Sequence, residues 1–362
     1  MFTLRIMPHE LAAAVAACAQ FAEPNSKIPI LKCLRIEVEA GFATFVATNT
    51  EQSIVIRAAC EGEGSACIDA AALQAKVSRL RGTEPVRFEG DKSSITVSHG
   101  RTKWKVPLMV DDEFPKQVAD MARAEPVPLP ATFLAELNRA AMATTANETR
   151  LGLRGVSMAG RSARATNGKK LAIIDVGVDL PKAIIPLSAI GKLKVLGEGP
   201  IKIACTENSA SFFNEFVRVN TQLISETYPD LSRLIENAMK DAVNSVVVSS
   251  ADIRTAIDRA SAIKVNTEDA GAFIPLIMRF QQAEIELATY NREGEEGTDY
   301  VLAERDGVDS EVIVSAGYLL EMISSIDADR VRIRYGGNLH AVLITPEKSG
   351  IENVRLILPR RK

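Results

Sequence analysis

The sequence predicts an α+β fold made of three similar domains in tandem, and three observations carry that prediction. Segments reading Ala47-Thr48-Asn49, Ala165-Thr166-Asn167 and Ala288-Thr289-Tyr290-Asn291 recur, 118 and then 123 positions apart. An apolar residue followed by proline closes each third, at Pro115, Pro229 and Pro359. Strand-then-helix segments start near residues 8, 69, 130, 186, 250 and 315, so a unit of about 60 residues occurs twice in each third. At 362 residues the chain exceeds what one core supports, and the repeat divides it at 1–125, 126–244 and 245–362.

Each element has a local reason. "LRIMPHELAAAVAACAQFA", "VPLPATFLAELNRAAMATTA" and "VVVSSADIRTAIDRASAIKV" share a short strand and a cap-like Pro, Ser or Asp. A helix of about three turns follows, with apolar residues at i, i+3 and i+4. "SACIDAAALQAKVSRLRG", "KAIIPLSAIGKLKVLGEG" and "SEVIVSAGYLLEMISSID" repeat the unit. Between the helices, period-2 segments such as "LRIEVEAGFATFVATN" and "VRIRYGGNLHAVLI" predict antiparallel meanders with one buried face. A helix must cover that face, so helices lie on one side of the sheets. Linkers are expected at "DMARAEPVPLP" and around "ENAMKDAVNS".

"ATNGKKLAIIDV", residues 165–176, invites a phosphate-loop reading, which fails. Ala163 stands where the first glycine belongs, and Lys170 where Ser or Thr would hold magnesium. Asn167-Gly168 between alternating runs predicts a hairpin turn instead.

Composition narrows function further. A net charge of -3 predicts no general affinity for nucleic acid unless basic residues are segregated. The N-terminus has no basic and apolar leader, and no run of about 18 apolar residues occurs, so a cytoplasmic protein is expected. Five cysteines without a Cys-x-x-Cys pair and three histidines argue against zinc; buried, reduced cysteine is expected throughout. Asp111, Asp112 and Glu113 offer magnesium ligands, but before Phe-Pro they read as a solvated turn. Basic residues do gather on the helical segments: Lys76, Arg79 and Arg81, then Lys192 and Lys194, then Arg254, Arg259 and Lys264. Positive helices in a negative chain suit a surface facing phosphates.

"KIPILKCLRIEV", "ATNGKKLA", "YPDLSRLI" and the terminal "LILP", in this order and spacing, resemble the bacterial DNA sliding clamp, the β subunit of the replicative DNA polymerase III. The similarity runs from Met1 to Lys362 and is that of a divergent, main or accessory, copy. It implies a head-to-tail homodimeric ring, with sheets outside and helices lining a channel around duplex DNA. It implies a processivity factor that catalyses nothing, needs no cofactor, is opened by a clamp loader and binds polymerases and repair proteins through short motifs. The alternative is a clamp-like scaffold that binds replication proteins without being loaded.

Carried over by position, the resemblance implies a pocket for Gln-Leu-x-Leu-Phe peptides at Leu153, Thr166, Gly168, Lys169, Lys170, Leu171, Pro229, Arg233, Leu234, Leu356, Leu358, Pro359, Arg360 and Arg361. DNA contacts are implied at Asn25, Lys27, Lys76, Arg79, Arg81, Asn147, Arg150, Lys192, Lys194, Arg254 and Arg259. The implied dimer contact sets Trp104 and Val106, exposed on one face of an edge strand, against a helix carrying Ala262 and Ile263. The family usually has Thr-Asp-Gly-His-Arg-Leu where this chain has Thr166-Asn167-Gly168-Lys169-Lys170-Leu171, and it commonly ends in Pro-Met-Arg-Leu. The ending Arg360-Arg361-Lys362 is expected to favour acidic residues flanking a bound motif.

Overall fold

Helices begin within three residues of the positions the repeat assigns. A computed structural model describes residues 1–91, 93–110, 113–115, 124–263, 274–291 and 293–360. The first third runs β1 (Phe2–Ile6), α1 (Pro8–Ala19), β2 (Cys33–Glu39), β3 (Phe42–Thr48), β4 (Gln52–Ala59), β5 (Glu61–Asp69), α2 (Ala70–Val77), β6 (Val86–Gly90), β7 (Ser94–His99) and β8 (Thr102–Pro107). The second runs β9 (Val127–Leu129), α3 (Phe133–Ala141), β10 (Gly155–Thr166), β11 (Lys170–Pro186), α4 (Leu187–Ile190), β12 (Ile201–Cys205), β13 (Ser209–Phe213), β14 (Val217–Gln222) and α5 (Ser232–Asp241). The last runs β15 (Asn244–Ser249), α6 (Ser250–Ala260), β16 (Pro275–Phe280), β17 (Glu284–Tyr290), β18 (Glu296–Asp306), β19 (Ser310–Ser315), α7 (Ala316–Ser324), β20 (Arg330–Tyr335), β21 (Val342–Pro346) and β22 (Asn353–Ile357).

Caps explain several starts. Asp69 accepts from the Ala72 amide at 2.7 Å, Ser249 from Asp252 at 3.3 Å and Ser315 from Tyr318 at 3.4 Å. Pro8 occupies the first turn of α1, where no amide donor is needed. Helix α4 is a single turn followed by a 3-10 turn at Leu193–Leu196, because Gly191 interrupts it. The expected linker around "ENAMKDAVNS" is instead largely helix α5 and the start of β15. The proline-rich linker contributes β9, which the prolines confine to the edge of its sheet.

The chain forms two compact units, residues 1–131 with 191–223, and residues 132–190 with 224–362. The first holds one antiparallel sheet in the order β8-β7-β6-β1-β5-β2-β3-β4-β14-β13-β12-β9. Leu11 and Val15 of α1, Leu73 and Val77 of α2, Phe45 and Phe88 form its interior, each at most 1% exposed. The second unit holds the order β10-β11-β22-β21-β20-β15-β18-β17-β16-β19.

In the second unit a buried arginine ties α7 to the sheet. Arg355 donates to the Ser325 hydroxyl and carbonyl at 2.7 and 2.8 Å and to Asn353 at 2.6 Å. Burial pushes its pKa down to about 10. Arg139 of α3 bridges Glu136 and Asp327 beside it.

Three expectations need correction. Val106 is 3% exposed, because alternate residues of β8 face inward with Ile95 and Val97. Ala262 and Ile263 lie past the end of α6 rather than on it. In the third repeat the pattern slips by one residue: the last inward-facing pair is Ala47 with Ile54, Ala165 with Ala172, and Thr289 with Gly297. Among the described residues no helix is long and apolar enough to cross a membrane.

Candidate functional site

The Thr-Asn hairpin between β10 and β11 is built by its own side chains. The Thr166 hydroxyl donates to the Lys170 carbonyl at 2.7 Å and accepts from the Gly168 amide at 3.0 Å. The Asn167 side-chain oxygen accepts from the Lys169 and Lys170 amides, both at 3.0 Å. Gly168 has φ +79°, a conformation open to glycine, and an added Cβ would also press on the Arg150 guanidinium. The hairpin expectation therefore holds.

The strand leaving this turn presents different chemistry on its two faces. On one face Leu171 pairs with Leu356, and both join Leu153, Tyr228, Leu231 and Leu343 in an apolar cluster beside α5. Burial pushes the Tyr228 hydroxyl pKa up. Pro229, Arg233, Leu234 and Leu358 are exposed, Leu234 and Leu358 each at 38%. The Leu358 amide donates to the Lys169 carbonyl at 2.9 Å, and the Arg360 amide to Ile313 of β19 at 2.8 Å. Pro359 between them is half-buried.

On the opposite face Lys170 is 5% exposed, not a solvated rim residue. Its ammonium donates to the Met142 carbonyl at 2.6 Å and to Glu321 of α7, and lies over the Tyr318 ring. An open cleft of about 480 Å³ adjoins it, lined by Met142, Thr144, Thr145, Asn167, Tyr318 and Glu321. Sequence reasoning passed over Tyr318 and Glu321; their three-residue spacing on one helix was the available signal. Lys169, in contrast, is exposed.

In the first unit, the basic candidates lie on or after helices. Asn25, Lys27, Arg79, Arg81 and Lys194 are exposed; Arg81 folds back on the Ser78 and Leu80 carbonyls at 2.9 and 2.7 Å. Lys76 is half-exposed, its ammonium on the Ala72 carbonyl at 3.1 Å. Lys192 differs: it is half-buried over the Phe21 ring and donates to Gln52 at 2.7 Å. Burial lowers its pKa.

In the second unit, Asn147 and Arg150 are exposed between α3 and β10. Arg254 donates to the Ser250 carbonyl at 2.9 Å, and Arg259 pairs with Asp299 of β18. Arg361, Lys362, Lys264, Asp111 and Asp112 lie outside the described residues; Glu113 is exposed. Cys18, Cys33 and Cys67 are buried as expected, whereas Cys60 and Cys205 are only partly so.

Comparison with known proteins covers both ends of the chain. The model of the DNA polymerase III beta subunit N-terminal domain matches residues 2–118, and that of its C-terminal domain residues 239–361. Similar curated proteins include the beta sliding clamps of Caulobacter vibrioides NA1000, 22% identical over 93% of this chain and 94% of that one, and of Lactococcus lactis IL1403, 23% identical over 92% of each. The fold is shared with the DNA polymerase sliding clamp of Bacillus subtilis, at TM-score 0.90, 22% identity and coverage of 100% and 99%. It is shared also with that of Pseudomonas aeruginosa, at TM-score 0.89, 18% identity and full coverage of both chains.

Proposed function

The chain belongs to the DNA polymerase III beta subunit family of sliding clamps, and from that premise we propose that two copies close head to tail around duplex DNA and tether the polymerase to its template. Tethering acts by effective concentration: a polymerase that lets go of the primer end remains beside it. The role calls for enclosure and binding, with no reacting group. The repeat unit of the ring is one domain, 1–125, 126–244 or 245–362.

One observation carries the reading: a strand seam occurs twice in the same register, and its third copy is left open. Strand β4 meets β14 with Gln52 opposite Thr221 and Ile54 opposite Val219. Strand β11 meets β22 with Lys170 opposite Ile357 and Ala172 opposite Arg355. The matching strands of the third seam are the first half of β18 and β8, which among the described residues have β17 and β7 respectively as their one neighbour. Exposed strand edges normally need a mate.

Joining β8 of one copy to β18 of the next in the shared register sets Trp104 opposite Gly297 and Lys105 opposite Glu296. The large ring then meets the position with no side chain, and opposite charges face each other. Gly297 abuts the Ala260 carbonyl at the end of α6, next to Ala262 and Ile263. Two such contacts related by a twofold axis leave neither β8 nor the first half of β18 without a mate.

Within the ring, DNA is held through phosphates, independent of sequence, by the exposed basic residues of the helices. Partner peptides dock on the apolar cluster around Leu171 and Leu356, bordered by Leu234 and Leu358. The testing experiment is topological. Protein loaded by a clamp loader onto a nicked circle should stay bound through a high-salt wash and leave after the circle is cut. Equal retention on linear and circular DNA would sink the enclosure reading.

A further inference from the structure

The apolar row that the proposed function assigns to partner peptides continues across the sheet to two arginines that form no ion pair among the described residues. Leu171 pairs with Leu356, Leu356 with Leu343, Leu343 with Arg334, and Arg334 with Ser245. All these side chains leave the same face, and neighbouring strands lie about 4.8 Å apart, so Arg334 stands roughly 10 Å from Leu356. Arg332 is two residues away on the same face of β20, opposite Thr345 and Val247.

Strand β20 carries three arginines on this face and treats them differently. Arg330 is paired with Glu304 at 2.7 Å and Glu347 at 3.8 Å. Among the described residues Arg332 donates to the Ser245 hydroxyl, at 3.4 Å, and Arg334 to the Thr345 hydroxyl, at 3.3 Å. Among the described residues no carboxylate lies within ion-pair distance of either, although Asp306 ends the same row and Glu236 and Asp241 belong to α5. Both guanidiniums are half-exposed. Burial, and then repulsion from Arg332, lowers the pKa of Arg334.

We infer that Arg332 and Arg334 form an acid-binding subsite that takes an Asp or Glu side chain flanking the apolar motif of a partner peptide. Each guanidinium keeps a fork of N–H donors suited to a carboxylate, and the half-buried Ser245 hydroxyl lies beside them. A carboxylate there removes the mutual repulsion of the two cations. Because the row runs in one direction from the groove, only one flank of the motif reaches it. The inference rests on the groove assignment, and goes beyond it by fixing where acidic flanks bind.

The test is fluorescence anisotropy of full-length protein with three labelled Gln-Leu-x-Leu-Phe peptides, carrying serines at both ends, aspartates before the motif, or aspartates after it. One acidic peptide, and not the other, should bind about tenfold tighter than the serine peptide, and salt should erode the gain. Arg332→Gln with Arg334→Gln should abolish that gain and leave the serine peptide unchanged, whereas Arg360→Gln should retain it, the subsite taking the role that the sequence suggested for the cationic ending. A gain that survives the double variant, or that Arg360→Gln removes, overturns the subsite alone. Failure of all three peptides to bind folded dimer overturns the groove reading and the subsite with it. If the double variant instead weakens retention on nicked circular DNA with peptide affinity unchanged, the ligand is phosphate and the inference is wrong.

Discussion

Lys192 and Glu321 occupy the same place in two copies of the repeat. Pro186 and Ser315 pair with the first residues of β10 and β16, and each of the two charged residues lies six positions further on. Each closes on the equivalent hairpin residue of the neighbouring repeat, Lys192 on Gln52 and Lys170 on Glu321. The polarity is reversed: the amine comes from the helical side in one and from the hairpin in the other. In the first repeat, Asp69 pairs with Cys33, and six positions on stands Ala75, exposed. The proposed seam between copies therefore brings Glu295 against a methyl group and lacks this polar latch.

Supplying the latch should strengthen the dimer. Ala75→Lys is expected to slow subunit exchange several-fold, measured by mixing differently labelled dimers, and Glu295→Ala should cancel the effect. An exchange rate indifferent to Ala75→Lys would argue that the third seam is not built like the other two.

The register itself can be trapped. Lys105→Cys combined with Glu296→Cys should give a disulfide-linked dimer on mild oxidation, seen on a non-reducing gel. Lys103→Cys with Glu296→Cys should not. Crosslinking in the second variant alone would mean a shifted register.

Leu171, part of the proposed groove, is a core residue at 1% exposure. Leu171→Ala should lower unfolding stability by about 2–5 kcal/mol, read from denaturant midpoints. Leu358→Asp, at a partly exposed border position, should remove peptide binding with little change in stability. Loss of stability in the second variant would show Leu358 to be structural.

The two lysines near α4 should separate. Lys194→Glu is expected to weaken retention on DNA and lower the salt slope by about one unit. Lys192→Met should chiefly change thermal stability, since its ammonium is held between Gln52 and Phe21. Equal losses of DNA retention in both would return Lys192 to the DNA surface.

The architecture was legible where chemistry is local. Asp69, Ser249 and Ser315 announce helices by side-chain caps, and Asn167-Gly168 announces its hairpin. What escaped depends on contacts remote in the chain. Nothing near Lys170 foretells that Glu321, 151 positions away, draws it to the opposite face from Leu171. Val106 read as exposed because alternation identifies two faces but not which is covered. Helix α5 read as a linker because most of its residues are polar, and only a narrow apolar side meets the Leu171 cluster. The leucines of the proposed groove came from the resemblance, whereas Arg332 and Arg334 carry no local signal, since what sets them apart is that no carboxylate among the described residues lies within ion-pair distance.

The seam between β11 and β22 has a consequence for synthesis. Residues 170–174 acquire their second neighbour only when residues 353–357 arrive, at the far end of the chain. Until residues 353–357 emerge from the ribosome, β11 keeps an open edge bearing Leu171 and Ile173, able to pair with another nascent chain. Strand β4 waits likewise for β14, some 165 positions later. Each sheet thus closes from its C-terminal side, so a product that stops before residue 353 would lack β22 and leave a sticky sheet edge rather than a slightly smaller protein.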